Sequence, residues 1–405
     1  MIQDAPFASA PGPFDVAALP RIVFGAGRIG ELAGLVAPLG RRVLLVTGAR
    51  SFRAGPHWAP LVDALKQNGA LWDFTVTGEP SPDLVDEAVA AFRPHGIEVV
   101  VAVGGGSVLD AGKAIAGLLP FGNPVLDHLE GVGRGVPYTG PALPFVAVPT
   151  TAGTGSEATK NAVLSRRGRD GFKKSFRHDT LVPRVALVDP ELLAGCPPEQ
   201  MAANGMDALT QLLESFVSTR ASAFTDALAR DGLARVARGF EAAWRGGDGD
   251  GARAGRAAMA YGALLSGITL AQAGLGSVHG IASPLGAFFP VPHGVACGTL
   301  VAEATRVNIA ALRERMPEAP ALARYAEAGR ILTGRPALDR DGALAALVDH
   351  LAAWAEHMDM PRLGRYGITE ADVPRIVADS RGNSMKTNPV ELADDEIAGI
   401  VAARL

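Results

Sequence analysis

The sequence predicts an α/β N-terminal domain followed by an all-α helical C-terminal domain, divided near Gly195 into residues 1–195 and 196–405. Three observations carry this. Short apolar runs alternate with helical patterns through the first half. From Pro198 onward, long helical patterns follow one another. No strand candidate of comparable quality appears beyond residue 190. Strands separated by helices argue for βαβ units and a doubly wound parallel layer.

The elements follow in order. Arg21–Phe24 and Arg42–Thr47 (RVLLVT) are short apolar runs rich in β-branched residues, as buried strands are. Trp58–Asn68 carries Leu61 and Leu65 one helical turn apart and stops at Gly69. Leu71–Thr77 reads as a strand, and Pro82–Phe92 as a helix with acidic residues in its first turn. Glu98–Val103 is an uninterrupted apolar strand of the kind buried on both faces of a parallel sheet. Phe145–Pro149 is another strand. Beyond Asp189-Pro190, helices are predicted over Pro198–Val217, Ser222–Trp244, Arg253–Ala273 and Pro320–Thr333, with GGDGDG (Gly246–Gly251) as a solvated turn.

The composition narrows the function. With 405 residues, 48% hydrophobic and 20% charged, the chain has the makings of two well-buried domains. The net charge of −4, with Lys and Arg scattered, offers no basic face to a phosphate backbone, so nucleic acid is not expected as a partner. Cys196 and Cys297 fall outside any Cys-x-x-Cys spacing. Neither a disulfide framework nor a thiolate zinc site is expected, and a reducing cytoplasm is the natural setting. Met1–Pro20 lacks a basic start followed by an apolar run, so no signal peptide is expected. Between Arg256 and Glu303 there is no Asp, Glu, Lys or Arg, but glycines and prolines break the run. It reads as a buried helix followed by a buried loop rather than a membrane span, and it encloses His279 and His293.

Two loops point to a cofactor. Glu98–Val103 runs into Gly104-Gly105-Gly106-Ser107 and then a helix through Asp110, Lys113 and Ile115. Glycines admit a ligand close to the backbone, and a helix N-terminus offers unpaired N–H groups to a pyrophosphate. This is not the G-x-G-x-x-G fingerprint. Phe145–Pro149 empties into Thr150-Thr151-Ala152-Gly153-Thr154-Gly155-Ser156-Glu157, a polar loop beyond a strand end, where ligands bind in open α/β sheets.

The strings GGGSVLDAGKAIA, PTTAGTGSE, KKSFRHDTLVPRVALVDPEL, GMDALTQLLESFVS and VHGIASPLGAFFPVPHGV, in that order, make the chain resemble the iron-containing (group III) alcohol dehydrogenases from about Arg21 to its C-terminal SMKTNPVELADDEI. The resemblance implies a dehydroquinate synthase-like architecture: an NAD(P)-binding α/β domain, a helical domain for metal and substrate, and a cofactor between them. Carried over by motif, Gly105, Gly106 and Ser107 hold the pyrophosphate. Asp110 and Ser156 belong to the same cofactor cleft, Thr150, Thr151 and Thr154 line the ribose side, and Lys173 reaches the nicotinamide ribose. A homodimer acting on a small alcohol or carbonyl compound is the expected assembly. NAD-selective relatives place an aspartate after the second strand, where this chain has Gly48, with Arg50 close by. NADP is therefore admitted beside NAD.

The metal ligands implied are Asp207, Gln211, His279 and His293. Asp207 and Gln211 are an i, i+4 pair on one helix face, which suits two ligands of one ion. The resemblance puts histidine at position 211, so the carboxamide is a departure and a weaker donor for iron or zinc. Ser283 is a second departure from a histidine, and no side-chain acid or base is assigned. The expected chemistry is hydride transfer between the nicotinamide and an alcohol, aldehyde or ketone, with a divalent ion polarising the carbonyl. Two alternatives resemble other branches of the superfamily: a metal-independent reductase of the maleylacetate reductase type, supported by Gln211 and Ser283, and an NAD-using lyase like dehydroquinate synthase.

Overall fold

The structure, a computed structural model, describes residues 11–405, so the first ten residues of the Met1–Pro20 reading lie outside the described residues. The strands are β1 (Arg21–Phe24), β2 (Arg42–Gly48), β3 (Ala70–Val76), β4 (Val99–Gly104), β5 (Phe145–Pro149), β6 (Asn161–Arg166), β7 (Phe172–Arg177) and β8 (Val185–Val188). Six of them form one parallel sheet in the order β1-β8-β5-β4-β2-β3. The other two, β6 and β7, pair antiparallel as a separate hairpin.

Side chains alternate across the sheet, as a period of two requires. Leu44, Val46, Val100 and Ala102 face α3 (Pro82–Phe92) and α4 (Gly106–Leu118), where Val85, Val89, Leu109 and Ile115 complete one core. Val43, Leu45, Val99, Val101 and Val103 face α1 (Leu32–Val36) and α2 (Trp58–Asn68), where Leu32, Leu61 and Leu65 complete a second. All six residues of β4 are buried, which explains its unbroken apolar run. The chain leaves β2 toward β3 over one face and β4 toward β5 over the other. The carboxyl ends of β2 and β4 therefore flank a crevice, the place where open α/β sheets take ligands.

From Pro198 the chain is helical: α5 (Pro198–Val217), α6 (Ala223–Arg245), α7 (Asp250–Ala273), α8 (Ser277–Phe288), α9 (His293–Arg315), α10 (Pro320–Thr333), α11 (Arg340–His357), α12 (Val373–Asp379) and α13 (Asp394–Ala402). Helix α5 is buried nearly all round, between α6, α7, α9 and α10, as a helix through the middle of a core must be. The third core is largely theirs, and it takes in Ala152, Ala158, Val188 and Leu193 from the sheet side. One contact there is close: a Cβ on Gly267 of α7 would lie 2.2 Å from the Gly155 carbonyl oxygen. Two glycines thus let α7 butt against the loop after β5, and Gly155 uses the left-handed conformation at φ +60°.

The charge-free segment differs from its reading. Instead of a helix and a loop it forms the end of α7, all of α8 and the start of α9. Gly274 (φ +79°) stops α7, and α8 leaves at 100° to it. Pro284 lies inside α8, and Pro292 caps α9, whose first residue is His293. The prolines that suggested a loop mark helix boundaries and one tolerated interior position. Among the described residues α9 alone is long and apolar enough by itself to cross a membrane, yet its apolar window is 78% buried in the fold. Strands β6, β7 and β8 were not expected. The first two carry charged residues on an open hairpin, and β8 has only four residues.

Candidate active site

Gly104 ends β4, Gly105 caps α4 in an extended conformation, and α4 begins at Gly106. The turn is pressed against the loop that follows β5. The Thr150 amide donates to the Gly104 carbonyl at 3.0 Å, and a Cβ on Gly105 would sit 3.3 Å from the Thr151 methyl. A cavity of about 270 Å³ is lined by Gly106, Ser107, Asp110, Thr154, Ser156 and Lys173 from the sheet side and by Gln211, His279, Ser283 and His293 from the helical side. Gly105, Thr150 and Thr151 are not among its lining residues. They build the turn behind it.

Asp110 has both carboxylate oxygens engaged by protein. Ser156 Oγ donates to one at 2.5 Å and the Val163 amide to the other at 3.1 Å. Lys113, three residues on along α4, is completely buried. Its ammonium donates to the Ser156 carbonyl (2.8 Å) and hydroxyl (3.0 Å), to Thr159 Oγ1 (3.1 Å) and to the Asn161 carbonyl (2.7 Å). It ties the loop after β5 to α4. Burial raises the Asp110 carboxyl and lifts Glu157 to about 7. Lys173 on β7 pairs with Glu79 at 3.0 Å at the rim of the cavity. Burial disfavours the Glu79 carboxylate, but the Lys173 ammonium outweighs it and lowers its pKa.

Lys113→Met is expected to destabilise the fold by about 3–5 kcal/mol, because four buried acceptors and two carboxylates lose their cation together. The pH dependence gives a second reading. Burial lowers Lys113 from 10.5 to about 8, with Asp110 and Glu157 partly offsetting it. Between those values the unfolded chain keeps a proton that the native state has shed, so stability rises with pH through that window. Urea titrations should show a lower midpoint for the variant and a flatter slope over that window. An unfolding free energy in water within about 0.5 kcal/mol of wild type, the scatter of ordinary surface substitutions, would contradict this.

Across the cavity three helices meet. Asp207 lies on α5, His279 in the first turn of α8, and His293 and Cys297 at i, i+4 on α9. Asp207 Oδ1 is 3.3 Å from His279 Nε2 and 3.8 Å from His293 Nε2. Cys297 Sγ is 3.7 Å and 3.8 Å from the same two nitrogens. The four donor atoms all lie within 4.8 Å of one another. A tetrahedral ion with bonds of about 2.0–2.3 Å needs ligand separations of about 3.3–3.6 Å, so this donor set fits a divalent metal. Behind it, His279 Nδ1 is 2.7 Å from Glu214, which also accepts from the Gly276 and Val278 amides. A carboxylate on the outer ring nitrogen is how metal-binding imidazoles are oriented.

Asp207 and His293 stand in the protonation states a metal ligand needs, whereas His279 and Cys297 hold protons that an ion would displace. Burial opposes the Asp207 charge, yet His293 and His279 hold its pKa at about 2. Burial lowers His293 to about 4, leaving a neutral imidazole. It also works against protonation of His279, which Cys297, Glu214 and Asp207 nevertheless carry well above the usual value. The Cys297 thiol is pushed up to about 12 by burial.

Gln211 stands one turn after Asp207, as its spacing requires, but its carboxamide is drawn toward α7, with Oε1 2.6 Å from Ser266 Oγ. Neither a disulfide framework nor a thiolate zinc site was expected of Cys196 and Cys297, yet Cys297 lies beside Asp207, His279 and His293. No Cys-x-x-Cys spacing marks this thiol; His293-x-x-x-Cys297 puts it one helical turn from an imidazole. Lys113, Glu79 and Glu214 were also passed over. Glu214 repeats the buried face of Asp207 and Gln211 at i+7, a signal the sequence does carry.

The family model described as "Iron-containing alcohol dehydrogenase" matches residues 20–190, and that of the C-terminal part of the same family matches residues 201–405. The chain belongs to the iron-containing alcohol dehydrogenase family. Lactaldehyde reductase of Escherichia coli K12 is 32% identical over 364 residues, covering 87% of this chain and 89% of that protein. The crystal structure of a 1,3-propanediol oxidoreductase superposes with a TM-score of 0.87 at 29% identity, covering 97% of this chain and all of the other. Sulfoacetaldehyde reductase of Bifidobacterium kashiwanohense, solved with NAD+, gives 0.81 at 29% identity over 97% and 99% of the two chains. As an iron-containing alcohol dehydrogenase the chain is an oxidoreductase of the NAD-linked alcohol and aldehyde class, in a family that works with a divalent metal.

Proposed function

We propose that this dehydrogenase interconverts a short, polar aldehyde and its alcohol, using either NAD(H) or NADP(H). The observation that carries the reading is the single cavity joining the N-terminus of α4 to the imidazoles of His279 and His293. Gly105, Gly106 and Ser107 receive the pyrophosphate at the helix N-terminus. Thr154, Asp110 and Ser156 shape the adjoining wall, with Thr150 and Thr151 bracing it from behind. Lys173, steadied by Glu79, meets the ribose. Asp207, His279 and His293 hold the divalent ion, iron or zinc. When bound, the nicotinamide supplies hydride and the ion polarises the carbonyl oxygen. Polar groups of Glu79, Asn161, Ser165, Lys173 and Ser283 stand in the cavity beside the apolar Pro80, Val163, Leu270 and Leu275, which suits a small substrate that carries a hydroxyl or a charge. The relatives that act on lactaldehyde, 1,3-propanediol and sulfoacetaldehyde point the same way. In a panel of aldehydes assayed with both reduced cofactors, the two- and three-carbon polar members should be turned over best. A preference for long alkyl aldehydes would overturn the substrate class.

Cofactor choice follows from the end of β2. Gly48 puts no carboxylate where the adenosine ribose would lie, and Arg50 is exposed beside it. Arg53 donates to Thr47 at 2.8 Å, pairs with Asp73 and lies 4.5 Å from the Trp58 ring centre. With no repulsion for a 2′-phosphate and a cation within reach, NADPH should serve about as well as NADH. A hundredfold preference for NADH in kcat/KM, about 2.7 kcal/mol, would contradict this.

We further propose a division into two domains near residue 195, a homodimer, and a cytoplasmic setting. The apolar residues Phe14, Val16, Leu19 and Ile22 are exposed along the chain that leads into the edge strand β1, a surface suited to a second copy. A light-scattering mass equal to one 41.7 kDa chain would sink the dimer.

A further inference from the structure

We infer that Cys297 Sγ, rather than the Gln211 carboxamide, is the fourth protein ligand of the divalent ion, and that the resulting carboxylate, imidazole, imidazole, thiolate set selects zinc. The inference rests on the reading that Asp207, His279 and His293 bind such an ion.

Three observations support it. The first is distance: Sγ stands 3.7 Å and 3.8 Å from the two imidazole nitrogens, close to the edges of a tetrahedron around one ion. The second is placement. His293 and Cys297 are one turn apart on α9, so both project from one face toward Asp207 and His279. Cys297 is fully buried and is not among the cavity-lining residues, whereas Gln211, His279 and His293 are. The thiol therefore closes the site from behind the imidazoles, and the side facing the cleft stays free for substrate oxygen. The third is the fate of Gln211, whose carboxamide is tethered to Ser266 on α7. This chain, which lacks histidine at position 211, carries a stronger donor, Cys297, beside Asp207, His279 and His293.

The chemistry then differs from that of a site with one anionic ligand. On ligation the sulfur–hydrogen bond breaks, the sulfur–metal bond forms, and the proton leaves to solvent. One carboxylate and one thiolate neutralise a divalent ion, so the ion is a milder Lewis acid than one held by a single carboxylate and three imidazoles. Thiolate donors favour zinc over the harder ions that oxygen ligands suit.

Cobalt(II) is the probe, because sulfur ligation gives it an intense near-ultraviolet charge-transfer band that nitrogen and oxygen ligands do not. Metal-stripped full-length protein loaded with cobalt should show that band and the visible bands of a tetrahedral ion. Cys297→Ser should lose the near-ultraviolet band and bind zinc at least about a hundredfold more weakly. Gln211→Ala should keep the band and stay within about threefold of the wild-type zinc affinity, a change below one decade of binding energy. Gln211→His placed in the Cys297→Ser chain should recover zinc binding without recovering the band. Thermal melts of the metal-free variants establish that each is folded, and Cys297→Ala replaces Cys297→Ser should the latter melt early. Cobalt binding with no charge-transfer band in wild type overturns the assignment of Cys297 and leaves the three-residue metal reading intact. Failure of folded wild type to bind cobalt or zinc overturns both.

Discussion

Asp207→Ala should yield a folded protein that retains no divalent metal and has lost at least about three orders of magnitude in kcat/KM, some 4 kcal/mol of transition-state stabilisation. Asp207 is 1% exposed and stands between both imidazoles, so no neighbouring carboxylate can move in to replace it. Glu214, the nearest alternative, is engaged by the Gly276 and Val278 amides and by His279. The fold should tolerate the change. Alanine is a strong helix former in the middle of α5, and His279 keeps its Glu214 partner. Elemental analysis, aldehyde reduction and circular dichroism on one preparation separate the three effects. Asp207→Asn, with the same shape and no charge, should fall close to alanine in activity. Wild-type turnover by Asp207→Ala, or by protein stripped of metal with a chelator, would transfer the case to a metal-independent reductase of the maleylacetate reductase type.

How far the sequence disclosed this site depends on the range of the interactions involved. Strands β2, β4 and β5 were legible because both faces are buried and the apolar runs are unbroken. The glycine turn after β4 and the polar loop after β5 were legible because each is a local string ending a strand. Asp207 and Gln211 were legible as an i, i+4 pair. What escaped depends on contacts between distant segments. Lys113 meets its partners 43 to 48 residues away, and nothing local says that an ammonium in the middle of α4 is enclosed rather than solvated. Glu79 reaches Lys173 across 94 residues. Cys297 gains its meaning only when α8 leaves α7 at a steep angle and brings His279 against α9. The turn that does this was read as part of a loop, because proline and glycine mark a helix boundary and a loop with the same letters. Gln211 shows the converse. Its position in sequence was informative, but its direction is set by Ser266, 55 residues further on.

Gly106→Val is expected to abolish cofactor binding at concentrations that saturate wild type, a loss of at least about a hundredfold in affinity, or some 2.7 kcal/mol. Gly106 is the first residue of α4, and it and Ser107, at the helix end that leaves N–H groups free, line the cavity. A Cβ added there would lie 2.5 Å from Thr154 Cγ2, 2.8 Å from its Oγ1 and 3.1 Å from its Cβ. Rotating Thr154 relieves the first two contacts but not the third, so the loop after β5 must move away from the turn. Valine carries two further methyl groups in the same gap, one wall of which is where the pyrophosphate is proposed to sit. Overpacking of this kind costs the fold about 1–3 kcal/mol, so the variant should still be folded while its cofactor site is distorted. Gly106→Ala should fall between valine and wild type. Adding Thr154→Ser to Gly106→Ala removes the nearest clashing methyl group and should restore part of the affinity. The measurement is a titration of each variant with NADH and NADPH, followed by calorimetry or by nicotinamide fluorescence. Wild-type affinity in Gly106→Val would mean that the pyrophosphate does not lie over this turn. Equal loss in Gly106→Ala with and without Thr154→Ser would mean that contact with Thr154 is not what the glycine avoids.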